Sequence, residues 1–101
     1  MQYLEIMRLH SIIPSPRAGK KYRAIFEDSG KMKHTDFGAS GMEDYTTHKD
    51  PERRERYLSR HRRDLETNDP TRACYLSYYI LWGPSTSFDR NVQLYKTKFG
   101  L

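Results

Sequence analysis

Four arginines, Arg53, Arg56, Arg60 and Arg63, fall at i, i+3, i+7 and i+10 of one segment. On a helix that spacing stacks them into a single ridge. A guanidinium is a planar, permanently charged fork that matches phosphate and carboxylate oxygens. The ridge therefore predicts contact with an anion, either a nucleic-acid backbone or an acidic protein face. Lys49 stands just ahead of it. The loop Asp44-Tyr45-Thr46-x-His48 runs straight into the expected helix N-terminus, where unpaired backbone N–H groups favour negative charge. The competing reading is an ordinary solvated helix. Asp50, Glu52 and Glu55 gather at its start and arginines continue to its end, which suits the helix dipole. Glu52 and Arg56 also have the i, i+4 spacing of a helical ion pair. The sequence leaves both readings open.

A second chemistry needs a metal. His34, Asp36, Asp44, His48 and His61 offer oxygen and nitrogen ligands. If they converged on a divalent cation beside a basic phosphate clamp, they would make a nuclease. Their spacings match no metal motif. Each also has a plainer role: His61 as a packed helix residue, His48 and Asp50 as cap and loop residues, Asp44 as a partner for the loop backbone. The run Asp36-Phe37-Gly38 matches the kinase metal-binding triplet by chance, since the chain has neither a glycine-rich phosphate loop nor a catalytic loop. No P-loop, GxSxG, HExxH or CxxC occurs. The expectation is a non-enzymatic protein without a cofactor, with the nuclease as an alternative.

The elements that must carry these residues follow from periodicity. Residues 3–13 mix apolar and charged positions in near-alternation and predict a strand ending before Pro14. Tyr22, Ala24 and Phe26 alternate with Arg23, Ile25 and Glu27 in a second strand, 21–27. Asp28-Ser29-Gly30-Lys31 has hairpin chemistry, and residues 31–37 return as the third strand. A loop follows to about Thr47. Asp50-Pro51-Glu52 combines an N-cap, a proline at the first helical position and an acid in the first turn, opening a helix over about 50–65. Asn68-Asp69-Pro70 starts a second helix, about 70–82, stopped by Gly83-Pro84. Thr86-x-x-Asp89 resembles a capping box for a third, about 87–98. The fold class is α+β: a small antiparallel three-stranded meander, then three helices, in one domain spanning 1–101.

Faces of the helices fill in the core. Tyr57, Leu58, His61 and Leu65 make a narrow apolar stripe on the first. Tyr75, Tyr78, Tyr79 and Trp82 make an aromatic stripe on the second. That helix reads as the core helix, with base stacking or protein contact as alternatives for its rings. Phe88, Val92, Tyr95 and Phe99 bring the third onto the core. Cys74, the one cysteine, reads as a small buried hydrophobe and excludes an intrachain disulfide.

Composition sets the outer bounds. The 101 residues are 31% charged and 13% aromatic, with net charge +5. Residues 48–64 alone carry +3 of that charge. A localised basic segment favours an anionic partner. No apolar run approaches a membrane span, and Glu5 and Arg8 interrupt the N-terminal apolar stretch, so a secreted protein is not expected.

The runs DFGASGMEDYTTHKDPERRERYLSRHRRD and NDPTRACYLSYYILWG resemble a family of small uncharacterised proteins of large double-stranded DNA viruses of eukaryotes. The matching positions are Phe37, Gly38, Gly41, Asp44, Tyr45, Thr46, His48, Lys49, Asp50, Arg53, Tyr57, Arg60 and His61. Thr71, Ala73, Leu76, Ser77, Tyr79, Ile80, Leu81 and Trp82 follow, so the match covers about residues 20–83. Met42 stands where the family's pattern has an aromatic, and Cys74 where it has glycine. The resemblance implies a viral protein in the host cytoplasm or nucleus, or in the virion. It adds weight to two roles for a small basic protein: binding viral nucleic acid or assisting genome packaging, and serving as a minor structural protein of the virion that contacts capsid proteins.

Overall fold

A computed structural model describes residues 7–101. Strands β1 (Met7–Pro14), β2 (Lys20–Asp28) and β3 (Lys31–Ala39) form an antiparallel sheet in the order β1-β2-β3. The expected meander is present; the part of the first strand over residues 3–6 lies outside the described residues. The tight turn between β2 and β3 places Ser29 at φ 50° and Gly30 at φ 86°. Positive φ at both central residues is the turn whose twist matches a two-residue hairpin. The sheet runs on through Pro14, which pairs with Tyr22; an edge strand tolerates a residue with no N–H to donate. A bulge between Leu9 and Ser11 shifts the register of β1.

One sheet face carries Leu9, Ala24, Phe26 and Phe37, all buried. The other carries a cross-strand pair, in which Arg23 Nε donates to Asp36 Oδ1 at 2.8 Å while Ser15 Oγ donates to the same oxygen at 2.9 Å. The Arg23 hydrogen bond, with help from Ser15, holds the Asp36 carboxyl down at about 2.

The helices depart from their expected limits in informative ways. Residues expected as loop form a short helix, α1 (Tyr45–His48). The helix expected over 50–65 is α2 (Pro51–His61), which tightens into a 3₁₀ segment over Arg62–Thr67. Asp50 caps α2 as expected, accepting from the Glu52 and Arg53 amides. The helix expected over 70–82 begins later. Asp69 Oδ1 accepts from the Thr71 amide and hydroxyl, so residues 70–72 stay a turn. Helix α3 (Ala73–Leu76) then continues into a π-helical turn over Ser77–Leu81, closed by the Trp82 amide on the Ser77 carbonyl at 3.0 Å. The last helix is α4 (Phe88–Phe99), capped by Ser87 rather than Thr86; Gly100 ends it at φ 66°.

Leu76, Ile80, Leu81 and Tyr95 pack with the buried sheet face to complete the core. The aromatic stripe of 75–82 does not stay together. Tyr75 is buried, Tyr78 and Tyr79 are half-buried, and Trp82 is buried against α2. A π turn holds one more residue than an α turn, so the residues after it rotate away from the α-helical stripe. Cys74 is half-buried, not buried, with Sγ 3.5 Å from the Asp64 carbonyl.

The helix end at Trp82-Gly83 is a junction. Arg54 of α2 donates its Nε to the carbonyls of Trp82 (3.1 Å) and Gly83 (2.8 Å). Asn91 of α4, fully buried, donates to the carbonyls of Ile80 and Ser85 and accepts from the Ser85 amide. These side chains satisfy carbonyls that a helix end leaves unpaired. Gly83 is required there: a Cβ would sit 2.2 Å from the Tyr79 carbonyl oxygen and 2.6 Å from Asn91 Cγ.

Two outcomes follow. Gly83→Ala is expected to destabilise the fold by about 2 kcal/mol through overpacking, read as a lower urea midpoint; an unchanged midpoint would show that the junction can relax. Asp36 stabilises the fold at pH values above its ordinary pKa of about 4, and that contribution is lost as pH falls towards its folded value of about 2. Thermal melts of Asp36→Asn should therefore be flatter between about pH 4 and pH 2. Parallel acid limbs in the two proteins would remove Asp36 from the account.

Candidate functional site

The side chains of α2 sort into three groups. Arg54 is pinned to the helix junction, with its guanidinium also 5.6 Å from the Tyr45 ring centroid. Tyr57 and Leu58 pack against the core as the apolar stripe requires, whereas His61 stacks on Tyr57 and stays part-exposed at the cleft. Arg53, Arg56 and Arg60 line an open cleft of about 450 Å³. The same cleft is lined by Lys21 of β2, Gly38 and Ala39 of β3, Met42, Glu43 and Asp44 of the following loop, and Ser77, Leu81 and Trp82 at the floor. Gly38 has φ 79°, and a Cβ there would come 2.9 Å from Leu81 Cδ1, so a glycine lets β3 approach the floor.

Asp44 organises the cleft wall facing α2. It is only 3% exposed. One oxygen takes the Thr46 amide and hydroxyl; the other takes Lys21 Nζ at 2.7 Å. Thr47 Oγ1 accepts from the Asp44 amide while the Asp44 side chain caps the helix, a reciprocal box. The segment 44–47 is thus wound into α1 and tied to β2. Asp44 is the cap of the loop, and its charge is matched.

Beneath the arginines lies a stack of rings. Tyr57 lies over Trp82 with centroids 4.2 Å apart and planes 4° from parallel. His61 covers the other Tyr57 face, also at 4.2 Å. His48 lies 5.1 Å from Trp82. Its Nδ1 accepts from the Asp50 amide at 2.9 Å, so the ring proton sits on Nε2, which is buried without a hydrogen-bond partner among the described residues. His48 is a wedge between α1 and the core. Burial, with the Asp64 charge a smaller cause, pushes the Tyr57 phenol up to about 12, so it stays an O–H donor at neutral pH.

The ion pairs decide which cations in the cleft remain available. Lys21 is matched by Asp44, and Arg53 lies 3.5 Å from Glu43 in an exposed pair. Among the described residues Arg56 and Arg60 have no carboxylate within 4.0 Å, and the expected Glu52–Arg56 pair does not form. Both are exposed. Arg63 is exposed too, but the 3₁₀ segment takes it out of the α-helical ridge and it does not line the cleft. Lys49, at φ 58°, ends α1 and also stands outside the cleft, as do Tyr45, Thr46 and His48.

The proposed metal ligands do not converge. Asp36 is held by Arg23 and Ser15, Asp44 by Lys21 and its cap, and His61 by Asp64 at 2.9 Å. No three His, Cys, Asp or Glu side chains are grouped to hold an ion among the described residues. Sequence reasoning missed Lys21, Gly38, Ser77 and Trp82 as cleft residues. Ser77 and Trp82 belong to the quoted sequence resemblance, but nothing local to them points to α2.

A family model described as a family of unknown function (DUF5754) matches residues 10–61, just over half of the chain. The chain belongs to this family. No curated protein and no solved structure matches. The DUF5754 match runs from β1 to the last residue of α2, so it contains the arginine wall, Lys21 and Asp44. The cleft floor at Ser77, Leu81 and Trp82 lies beyond it. No helix among the described residues is long and apolar enough to cross a membrane.

Asp44→Ala would strip α1 of its cap and leave Lys21 without its partner in a mostly buried site. The expected loss is about 3 kcal/mol in denaturant unfolding, partly recovered by Asp44→Ala/Lys21→Met. A loss of the size of one exposed ion pair, well under 1 kcal/mol, would contradict the organising role given to Asp44.

Proposed function

We propose that this chain is a small, basic, non-enzymatic viral protein that binds nucleic acid or takes part in genome packaging. The observation that carries the reading is the pair Arg56 and Arg60: exposed, one turn apart, lining a cleft, and without a carboxylate partner among the described residues. Arginines held this way lose little of their charge to the protein itself and suit phosphate oxygens. The concentration of positive charge in 48–64 supports the same partner. The viral setting rests on the sequence resemblance.

Phosphate neutralisation releases counterions, so affinity should fall as salt rises. DNA and RNA binding measured across a salt series should show this, and Arg56→Glu/Arg60→Glu should abolish it. Failure of the parent to bind at low salt, or binding untouched by the double substitution, overturns the reading.

A second reading, a structural protein of the virion, draws on a smaller hollow of about 270 Å³. Half-buried Tyr78 and Tyr79 and exposed Leu94 line it beside Arg54 and Lys98. Tyrosines favour protein interfaces. Stoichiometric, symmetric density in purified particles without affinity for free nucleic acid would favour it.

A further inference from the structure

We propose that the cleft takes a single nucleic-acid strand by its phosphodiester backbone, and that a duplex does not fit it. This rests on the nucleic-acid reading above and narrows it. The cleft volume of about 450 Å³ is that of a small-ligand site. It accommodates a nucleotide unit, not the breadth of a double helix. A recognition helix has to enter the major groove of a duplex, which is about as wide as the helix itself. Here the flank of α2 that bears Arg56 and Arg60 faces the end of β3 and the loop through Glu43 and Asp44. Exposed Met42 and the Glu43 carboxylate stand on that opposite wall, and a second negatively charged strand would have to pack against them.

The rings of the floor define how a strand would lie. Tyr57 has Trp82 on one face and His61 on the other. No base can stack on Tyr57. His61 is the outermost ring of the stack, half-exposed and anchored by Asp64. It lines the cleft and is the member of this stack with a face not taken by Tyr57, so one base seats on it without selection among bases. Tyr57 and Ser77 also line the cleft, and their hydroxyls engage each other, so the phosphate contacts fall to the arginines.

The charge pairing sets the number of phosphates. With Lys21 matched by Asp44 and Arg53 by Glu43, Arg56 and Arg60 remain, giving about two neutralised phosphates. For single strands the slope of log affinity against log salt is about −0.7 per phosphate, hence about −1.4.

The experiment titrates the full chain with a labelled thymidine oligonucleotide and with a duplex of equal length, across a salt series. The expected result is at least tenfold tighter binding of the single strand, with a slope of about −1.4. Arg56→Gln/Arg60→Gln should remove it. His61→Ala should weaken it about tenfold, as loss of one stacked base does. A control with the same charge loss outside the cleft, Arg62→Gln/Arg90→Gln, should keep the single-strand affinity within about twofold and the slope unchanged. Duplex binding as tight as the single strand, a slope near −4 or steeper, or equal loss in the control would overturn the cleft and leave general nucleic-acid binding standing. No binding of either form at low salt would overturn both. Each variant is compared with the parent by thermal unfolding, and a double variant that melts with the parent yet binds unchanged also overturns the proposal.

Discussion

The structure turns on the carbonyl-rich helix end at Trp82-Gly83. Arg54 reaches it from α2 and Asn91 from α4. Each is a long-range hydrogen bond to a backbone group that would otherwise be buried and unpaired, which costs more than a surface contact returns. Because these donors come from different helices, the end of the π turn fixes where both stand. It also fixes Trp82, and through the parallel Trp82–Tyr57 contact it sets the roll of α2 about its axis. With Tyr57 held down, Arg53, Arg56 and Arg60 lie on the side of α2 that lines the cleft.

That division of labour answers what faces the arginine ridge. The six arginines of 53–63 are not one functional set. Arg54 is a structural cap, Arg53 is paired with Glu43, and Arg62 and Arg63 belong to a tightened segment and do not line the cleft. Arg56 and Arg60 are left. Asp44 shows the same sorting for acids: a residue read as a loop or metal candidate is a buried cap whose charge is matched by Lys21.

Local rules made much of this legible. Ser29 and Gly30 sit in the hairpin their types favour, Asp50-Pro51 opens α2, and the alternation of Tyr22, Ala24 and Phe26 finds the buried sheet face. Arg53, Arg56 and Arg60 could be read as one face because α2 is regular as far as His61. The rest depends on partners distant in sequence. Lys21 meets Asp44 across 23 residues and Arg54 meets Gly83 across 29. The π turn at Ser77–Leu81 leaves no periodicity of its own, since it interrupts the period by a single residue. Asn91 lies among apolar positions of α4 as a polar residue without a visible partner, until the helix end it serves is in place. The histidines and aspartates, whose spacings match no metal motif, are open to a metal site only as an alternative reading of the sequence, and the fold disperses them.

The cleft is assembled from pieces that no short segment contains. Its wall is α2 and its floor is the turn around Ser77–Trp82, joined by Arg54 on the helix end and by the Tyr57–Trp82 stack. A ligand that binds between them binds the native state alone. Occupancy and folding are then one linked equilibrium, in which each tenfold rise in ligand above its dissociation constant adds about 1.4 kcal/mol to stability. The chain could keep every arginine and still lose the site, because its charge is written in the sequence of one helix while its shape is a property of the whole cooperative unit.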